Sequence, residues 1–378
     1  MRRNTTIPGI RYSWLWVVAT FLLAQTAAAQ RPGAGSNWKT DFTRSSVDLR
    51  EITSGGPPKD GIPSIDRPKF ITVDAASWLG DREPVMVVSH GGETKIYPIQ
   101  ILIWHEIVND VVGGRPTTVT FCPLCNTALV FDRRLNGRVL DFGTTGQLRH
   151  SDLVMYDRQT ETWWQQASGE GIVGELTGKE LVRVDAQMVA WGEARRNFPT
   201  AKVLSRETGY RREYGRNPYA RYDNPGQSPI AAFFSRKPDP RLPAMERVVT
   251  LESKESPVAY PFTRLSKERV VHDDHDGVPI VVLWKEGTAS ALDASNINQG
   301  RDVGAVGVFE SRLDGKKLTF TATNDGRFRD DATGSLWNLF GEAEAGPSKG
   351  RRLTPIPHGN HFWFSWVTFR PSTRLAQR

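Results

Sequence analysis

Val130-Phe131-Asp132-Arg133-Arg134-Leu135-Asn136-Gly137-Arg138-Val139-Leu140-Asp141-Phe142 and, far downstream, Val308-Phe309-Glu310-Ser311-Arg312-Leu313-Asp314-Gly315-Lys316-Lys317-Leu318-Thr319-Phe320 are two versions of one phrase. Each reads as strand, a turn on Asn-Gly or Asp-Gly, and strand. Such two-residue turns need positive φ, which Gly adopts freely and Asn or Asp tolerates. The match continues downstream, where Asp157-Arg158-Gln159-Thr160-Glu161-Thr162-Trp163-Trp164 parallels Asp330-Asp331-Ala332-Thr333-Gly334-Ser335-Leu336-Trp337. Gly178, Leu181, Trp191 and Pro199 then fall opposite Gly350, Leu353, Trp363 and Pro371. An ordered series of this kind predicts a duplicated unit. The expected fold class is α+β and β-rich: two tandem related modules of antiparallel strands with a few helices. They are placed at 71–215 and 271–378, joined by an irregular, Pro-rich linker over 216–270.

Within the first module the pattern is strand-like at Val85–Val88 and Lys95–Tyr97, around a Gly91-Gly92 turn. Pro98 suits the first turn of a helix expected to run to about Val112 and to end at Gly113-Gly114. Ile99, Leu102, Ile103, Trp104, Ile107, Val108 and Val111 cover most of its circumference, so it is expected to be buried. Strands are expected again at 117–121, 128–131, 139–142 and 153–156.

The chain has only 2 cysteines. Both lie in Phe121-Cys122-Pro123-Leu124-Cys125-Asn126-Thr127, on a turn between two of these strands. Extending the hairpin alignment puts Gly300 and Val303 opposite them, so the second module lacks the pair. That favours a site built on a shared scaffold over a structural staple. A thioredoxin-type motif opens a helix, whose N-terminus activates the first thiol; here a strand follows. The other precedent is a metal knuckle, in which Cys-Pro-x-Cys aims two thiolates at one zinc or copper ion and other residues complete the site. His105, just upstream in Trp104-His105-Glu106-Ile107-Val108-Asn109-Asp110, is the candidate third ligand. Glu106 or Asp152 is expected to orient it, and Asn126, Trp164 and Gln165 are the further candidate binding residues. His358 and His361 read as a surface turn, with reach into a site between the two copies as the alternative. The clusters Trp163-Trp164 and Phe362-Trp363-Phe364-Ser365-Trp366 read as core, with a stacking platform as the alternative. Two further functional readings stay open. One is thiol–disulfide exchange, with Cys122 attacking and Cys125 resolving. The other is a ligand-binding module with a small structural disulfide.

With 378 residues, 38% of them hydrophobic, the chain is long enough for two ordinary domains. The net charge of +7 is scattered, and no basic stripe points to nucleic acid. Arg2, Arg3 and Arg11, the short apolar run Trp14–Ala24 and the small residues Ala27-Ala28-Ala29 read as a cleaved signal peptide over 1–29. No later stretch is apolar for the roughly 20 residues a span needs. Residues 30–70, rich in Gly, Pro and Ser, are expected to lie extended over the surface. The mature chain is accordingly expected in the periplasm or outside the cell, with no stable membrane insertion. In such a compartment a free thiol pair becomes a disulfide unless a metal holds it.

Tyr97-Pro98 through the Trp104–Asp110 stretch, Phe121–Ala128 and Ser151-Asp152-Leu153-Val154-Met155-Tyr156-Asp157-Arg158 resemble a widespread bacterial and archaeal family of exported proteins. Trp164-Gln165, Gly169–Gly174 and Phe362–Trp366 extend the likeness over nearly all of the mature chain. The resemblance implies a shared fold and a shared site around the cysteines; the family is one of unknown function, so no reaction follows. His105, Glu106, Cys122 and Cys125 lie inside its motifs, whereas His150 stands where the family's pattern has Asn.

Overall fold

Each of the two repeated phrases folds into the same small hairpin, and the likeness spreads outward on both sides. A computed structural model describes residues 38–253 and 256–376; the expected leader, 1–29, lies outside the described residues. Two short strands come first, β1 (Ile52–Ser54) and β2 (Phe70–Thr72). The first half then runs β3 (Pro84–His90), β4 (Glu93–Pro98), α1 (Ile99–His105), β5 (Ile107–Val112), β6 (Arg115–Cys122), β7 (Thr127–Asp132), β8 (Arg134–Leu135), β9 (Arg138–Val139), β10 (Phe142–Arg149), β11 (Asp152–Asp157), β12 (Trp163–Gln165), β13 (Glu170–Val173), β14 (Arg183–Val184), β15 (Gln187–Ala190), α2 (Trp191–Asn197) and β16 (Lys202–Leu204). The second half runs β17 (Arg247–Leu251), β18 (Val258–Pro261), α3 (Phe262–Glu268), β19 (Val270–His275), β20 (Val278–Lys285), β21 (Ala305–Glu310), β22 (Arg312–Leu313), β23 (Lys316–Lys317), β24 (Phe320–Ala322), β25 (Phe328–Asp330), β26 (Leu336–Trp337), β27 (Ala343–Ala345), β28 (Gly359–Phe362), α4 (Trp363–Phe369) and β29 (Arg374–Leu375).

Among the described residues the fold is thus β-rich, with several antiparallel sheets and four α-helices. The order of elements recurs, with only an isolated bridge, Phe309 to Pro355, in the place of β14. Pairings recur as well. The β3/β4 hairpin carries β15 antiparallel on one edge and β16 parallel on the other; β17/β18 carries β28 and β29 in the same senses. Several hairpins close through two residues of positive φ: Gly91-Gly92, Gly113-Gly114, Asn136-Gly137, Asp276-Gly277 and Asp314-Gly315. This backbone shape matches the right-handed twist of the flanking strands.

Three expectations shift. The helix from Pro98 stops at His105, because Glu106 takes φ 59° and turns the chain out of the helix. Ile107–Val112 is then a strand paired residue by residue with β6. Its β-branched content suits a buried strand, and a continuous apolar run reads alike in either state. Second, only part of 216–270 is irregular: residues 247–268 form β17, β18 and α3. Third, the segment before residue 70 is built into the body, with β1 pairing β10 and Ile52 and Ile65 buried.

The halves share their sheets. One eight-stranded sheet has the order β29-β18-β17-β28-β7-β6-β5, with β14 also on β7. It joins the halves where Asn360 of β28 faces Ala128 of β7. Reciprocally, Gln187 on β15 donates to the carbonyls of Val306 and Leu339 in the second half. Trp163, Trp164, Trp363 and Trp366 are all fully buried, so both aromatic clusters are core. Among the described residues no helix is long and apolar enough to cross a membrane.

Candidate metal centre

β6 and β7 pair down to Cys122 opposite Thr127, leaving Pro123–Asn126 as a tight turn. The Cys125 amide donates to Cys122 O at 3.2 Å, and Asn126 closes the turn at φ 49°, a conformation Asn tolerates better than most residues. β11 reaches the same place from the other side. His150 and Ser151 both take positive φ, 54° and 69°, and this sharp reversal delivers Asp152 at the start of the strand. The Cys122 thiol donates to Ser151 O at 3.7 Å. The ligand atoms of Cys122, Cys125 and Asp152 all lie within 4.8 Å of one another, and all three residues are buried. Both cysteines are free thiols.

Asp152 is held by one oxygen. Its Oδ2 accepts from Gln165 Nε2 at 2.6 Å and from the Ala167 amide at 2.9 Å, while the buried Oδ1 has no hydrogen-bond partner. Gln165 is fixed in turn, its Oε1 accepting from Arg149 at 3.4 Å, and Arg149 is paired with Glu51 at 2.7 Å. The result is a carboxylate beside two sulfurs, with one oxygen anchored by its hydrogen-bond donors and one without such a partner. That is the arrangement of a monodentate metal ligand with an outer hydrogen-bonded partner.

Electrostatics set this corner apart. Burial pushes the Cys122 thiol up and the Cys125 thiol well up, so both are held protonated when no cation is near. Burial pushes Asp152 up to about 7, and burial with the nearby Asp152 charge pushes Glu106 up to about 8. Four acidic groups sharing one dry corner cannot all ionise by themselves. A bound cation reverses that logic by making their anionic forms the stable ones.

The second half closes the site. The Phe362 amide donates to Cys125 O at 2.8 Å, and the Thr127 hydroxyl shares a hydrogen bond of 2.9 Å with His361 Nδ1. From the irregular stretch before β17, the Tyr222 hydroxyl donates to Leu124 O at 2.9 Å, and Tyr219 packs near by.

Of the residues expected at the site, Cys122, Cys125 and Asp152 are brought together, with Gln165 on Asp152. His105 is not among the gathered ligands. Its Nδ1 meets Pro63 O and its Nε2 the Tyr214 hydroxyl, each at 2.7 Å, so both nitrogens are engaged elsewhere. The reason is the early end of α1, which leaves His105 on the helix and Glu106 at the turn. Trp164 spends its Nε1 on Asp157 at 2.9 Å and belongs to the core. Asn126 is buried and shapes the turn. His361, read as a surface residue, is fully buried on β28, and its Nε2 has no partner. The Phe362–Trp366 cluster beside it was the signal that this stretch is core. Gly300 and Val303 are not the counterparts of the cysteines. β6 and β20 end in register, which sets Lys285 opposite Cys122, while residues 286–304 replace the four-residue turn. Lys285 there pairs with Glu193 at 2.7 Å.

No curated protein and no solved structure matches the chain. The cysteine turn, the Asp152 strand and nearly all of both halves of the fold lie within residues 59–373, the stretch matched by the model of a family of proteins of unknown function, DUF3179, and the chain belongs to that family.

Proposed function

We propose that this is an exported metal-binding protein whose ion is held by the thiolates of Cys122 and Cys125 and by Asp152 Oδ1. The observation that carries the reading is the close approach of three buried donor atoms, one each from Cys122, Cys125 and Asp152, all within 4.8 Å of one another. Zinc bonds of about 2.0–2.3 Å at tetrahedral angles put neighbouring donors roughly 3.3–3.8 Å apart, a spacing these side chains reach by small rotations. Two soft sulfurs with one hard oxygen suit zinc, which is borderline; copper(I) is better served by soft donors alone. Gln165 sets the orientation of Asp152.

Thiol–disulfide exchange draws less support. The attacking species is the thiolate, and burial works against it at both cysteines. Export rests on the N-terminal basic, apolar and small-residue pattern. It gives the metal a second role, keeping the thiol pair reduced in an oxidising compartment.

The test is metal analysis of protein purified from the periplasm or the medium. One zinc per chain is expected, with marked loss in Cys122→Ser and Asp152→Asn. Stoichiometric copper in place of zinc would correct the choice of ion. Wild-type protein with no stoichiometric metal would sink the reading.

A further inference from the structure

Three donors leave a tetrahedral ion one position short. Glu106 is the side chain most in need of an explanation at this place. It is 7% exposed, and its carboxylate makes no hydrogen bond among the described residues. It stands against the strand that carries Cys122, next to Phe121, yet outside the group of close ligand atoms. Its backbone is clamped: the Glu106 amide donates to Leu102 O at 2.6 Å, and Glu106 O accepts from the Phe121 amide at 2.8 Å. The turn itself does not call for an acid. Arg269 occupies the same place after α3 with φ 60°, and its guanidinium reaches out to Thr323 O at 3.0 Å. A buried carboxylate without a partner is costly and rare, so the local fold alone leaves Glu106 unaccounted for.

We propose that the fourth position of an ion held by Cys122, Cys125 and Asp152 belongs to a water molecule, and that Glu106 accepts a hydrogen bond from that water. The proposal rests on the metal reading above. It makes Glu106 a positioning residue rather than a ligand, and it makes the centre an exchangeable one. A closed structural site fills all four positions with protein side chains, whereas a site with three protein donors keeps one for a small molecule. A small anion can take the water's place, and the Glu106 charge opposes that substitution.

The experiment uses the full mature chain loaded with cobalt(II), with azide as the probe. Wild type is expected to show thiolate-to-cobalt charge-transfer bands, and its ligand-field bands are expected to shift on adding azide. Glu106→Gln is expected to keep one cobalt and the thiolate bands while binding azide about tenfold more tightly or better. Glu106→Ala, read by the same bands, covers the case in which the Gln variant does not fold. The proposal is overturned if azide leaves the wild-type bands unmoved. It is also overturned if both Glu106 variants lose cobalt by more than a hundredfold, which would make Glu106 a ligand. Wild type with no thiolate-to-cobalt band overturns the metal reading itself, and the Glu106 proposal with it.

Discussion

Asp152 shows how much of a site a single side chain can carry. One oxygen is fixed by Gln165 and the Ala167 amide and the other is free, so changing Gln165 should disturb the ion without touching a ligand. Gln165→Leu is expected to weaken zinc by about 10- to 100-fold, measured by chelator competition, with little change in far-UV circular dichroism. An unchanged affinity would show that Asp152 needs no orienting partner. Gly359 makes a second test at this scale. A Cβ there would stand 2.5 Å from His361 Nε2 and 2.9 Å from Leu129 Cδ2. Gly359→Ala should therefore cost about 1–3 kcal/mol in urea unfolding, since both neighbours are buried side chains and His361 is also tied to Thr127. At this scale the sequence was readable in its types and unreadable in its geometry. Cys122 and Cys125 stand out by chemistry, whereas Asp152 reads from the sequence as a residue that orients His105 and not as a donor. His105 was favoured by nearness along the chain, yet one left-handed residue at Glu106 sends it to Pro63 and Tyr214. His361, more than 230 residues from the turn it supports, left no local trace of that contact.

Elements whose pairing is local were legible; those that pair at a distance were not. The Asn136-Gly137 and Asp314-Gly315 hairpins needed only their own residues. So did the turn beginning at Asp157, where the Asp157 carboxylate accepts from Thr160 and from Trp164 Nε1, as Asp330 does from Thr333 and Trp337. The stretch between β16 and β17 has no such rule. It is held instead by Asp223, whose buried carboxylate meets Arg247 and Ser290 and also Arg301. Burial works against the Asp223 charge, but Arg247, Ser290 and Arg301 outweigh it and hold the carboxyl below its ordinary range. The sign follows: this contribution is present above the unfolded value near pH 4 and is lost as the pH falls through the lower folded value. Asp223→Asn leaves Arg247 buried without its charge partner. The loss expected is about 3–5 kcal/mol at pH 7, together with faster proteolysis within 216–246. It should also flatten the acid limb of the stability curve. A variant as stable as wild type would show that the stretch is anchored by its aromatic contacts instead.

For the whole molecule, the shared sheets matter more than the repeat. The sequence announced two copies of a unit and so suggested two modules side by side. β28 inserts between β17 of its own half and β7 of the other, and such a pairing cannot be inferred from the hydrophobic pattern of either strand. Residues 38–215 expressed alone should not give a folded product, because the edge of β7 and the cover of Cys125 both come from the second half. A cooperative unfolding transition from that fragment would contradict this. Intact protein should melt as one unit, and removing the proposed metal should lower its stability. At a thousandfold excess of free zinc over its dissociation constant the linkage amounts to about 4 kcal/mol, read as a fall in melting temperature on adding chelator.

The late position of β28 also has a consequence in time. In a chain made from its N-terminus the Cys122–Cys125 hairpin comes early, but the strand that seals it begins at Gly359, more than 230 residues after Cys125. Until then the two thiols and Asp152 face the surroundings. The order of synthesis itself opens an interval for capturing the proposed ion, and the arrival of β28 closes it.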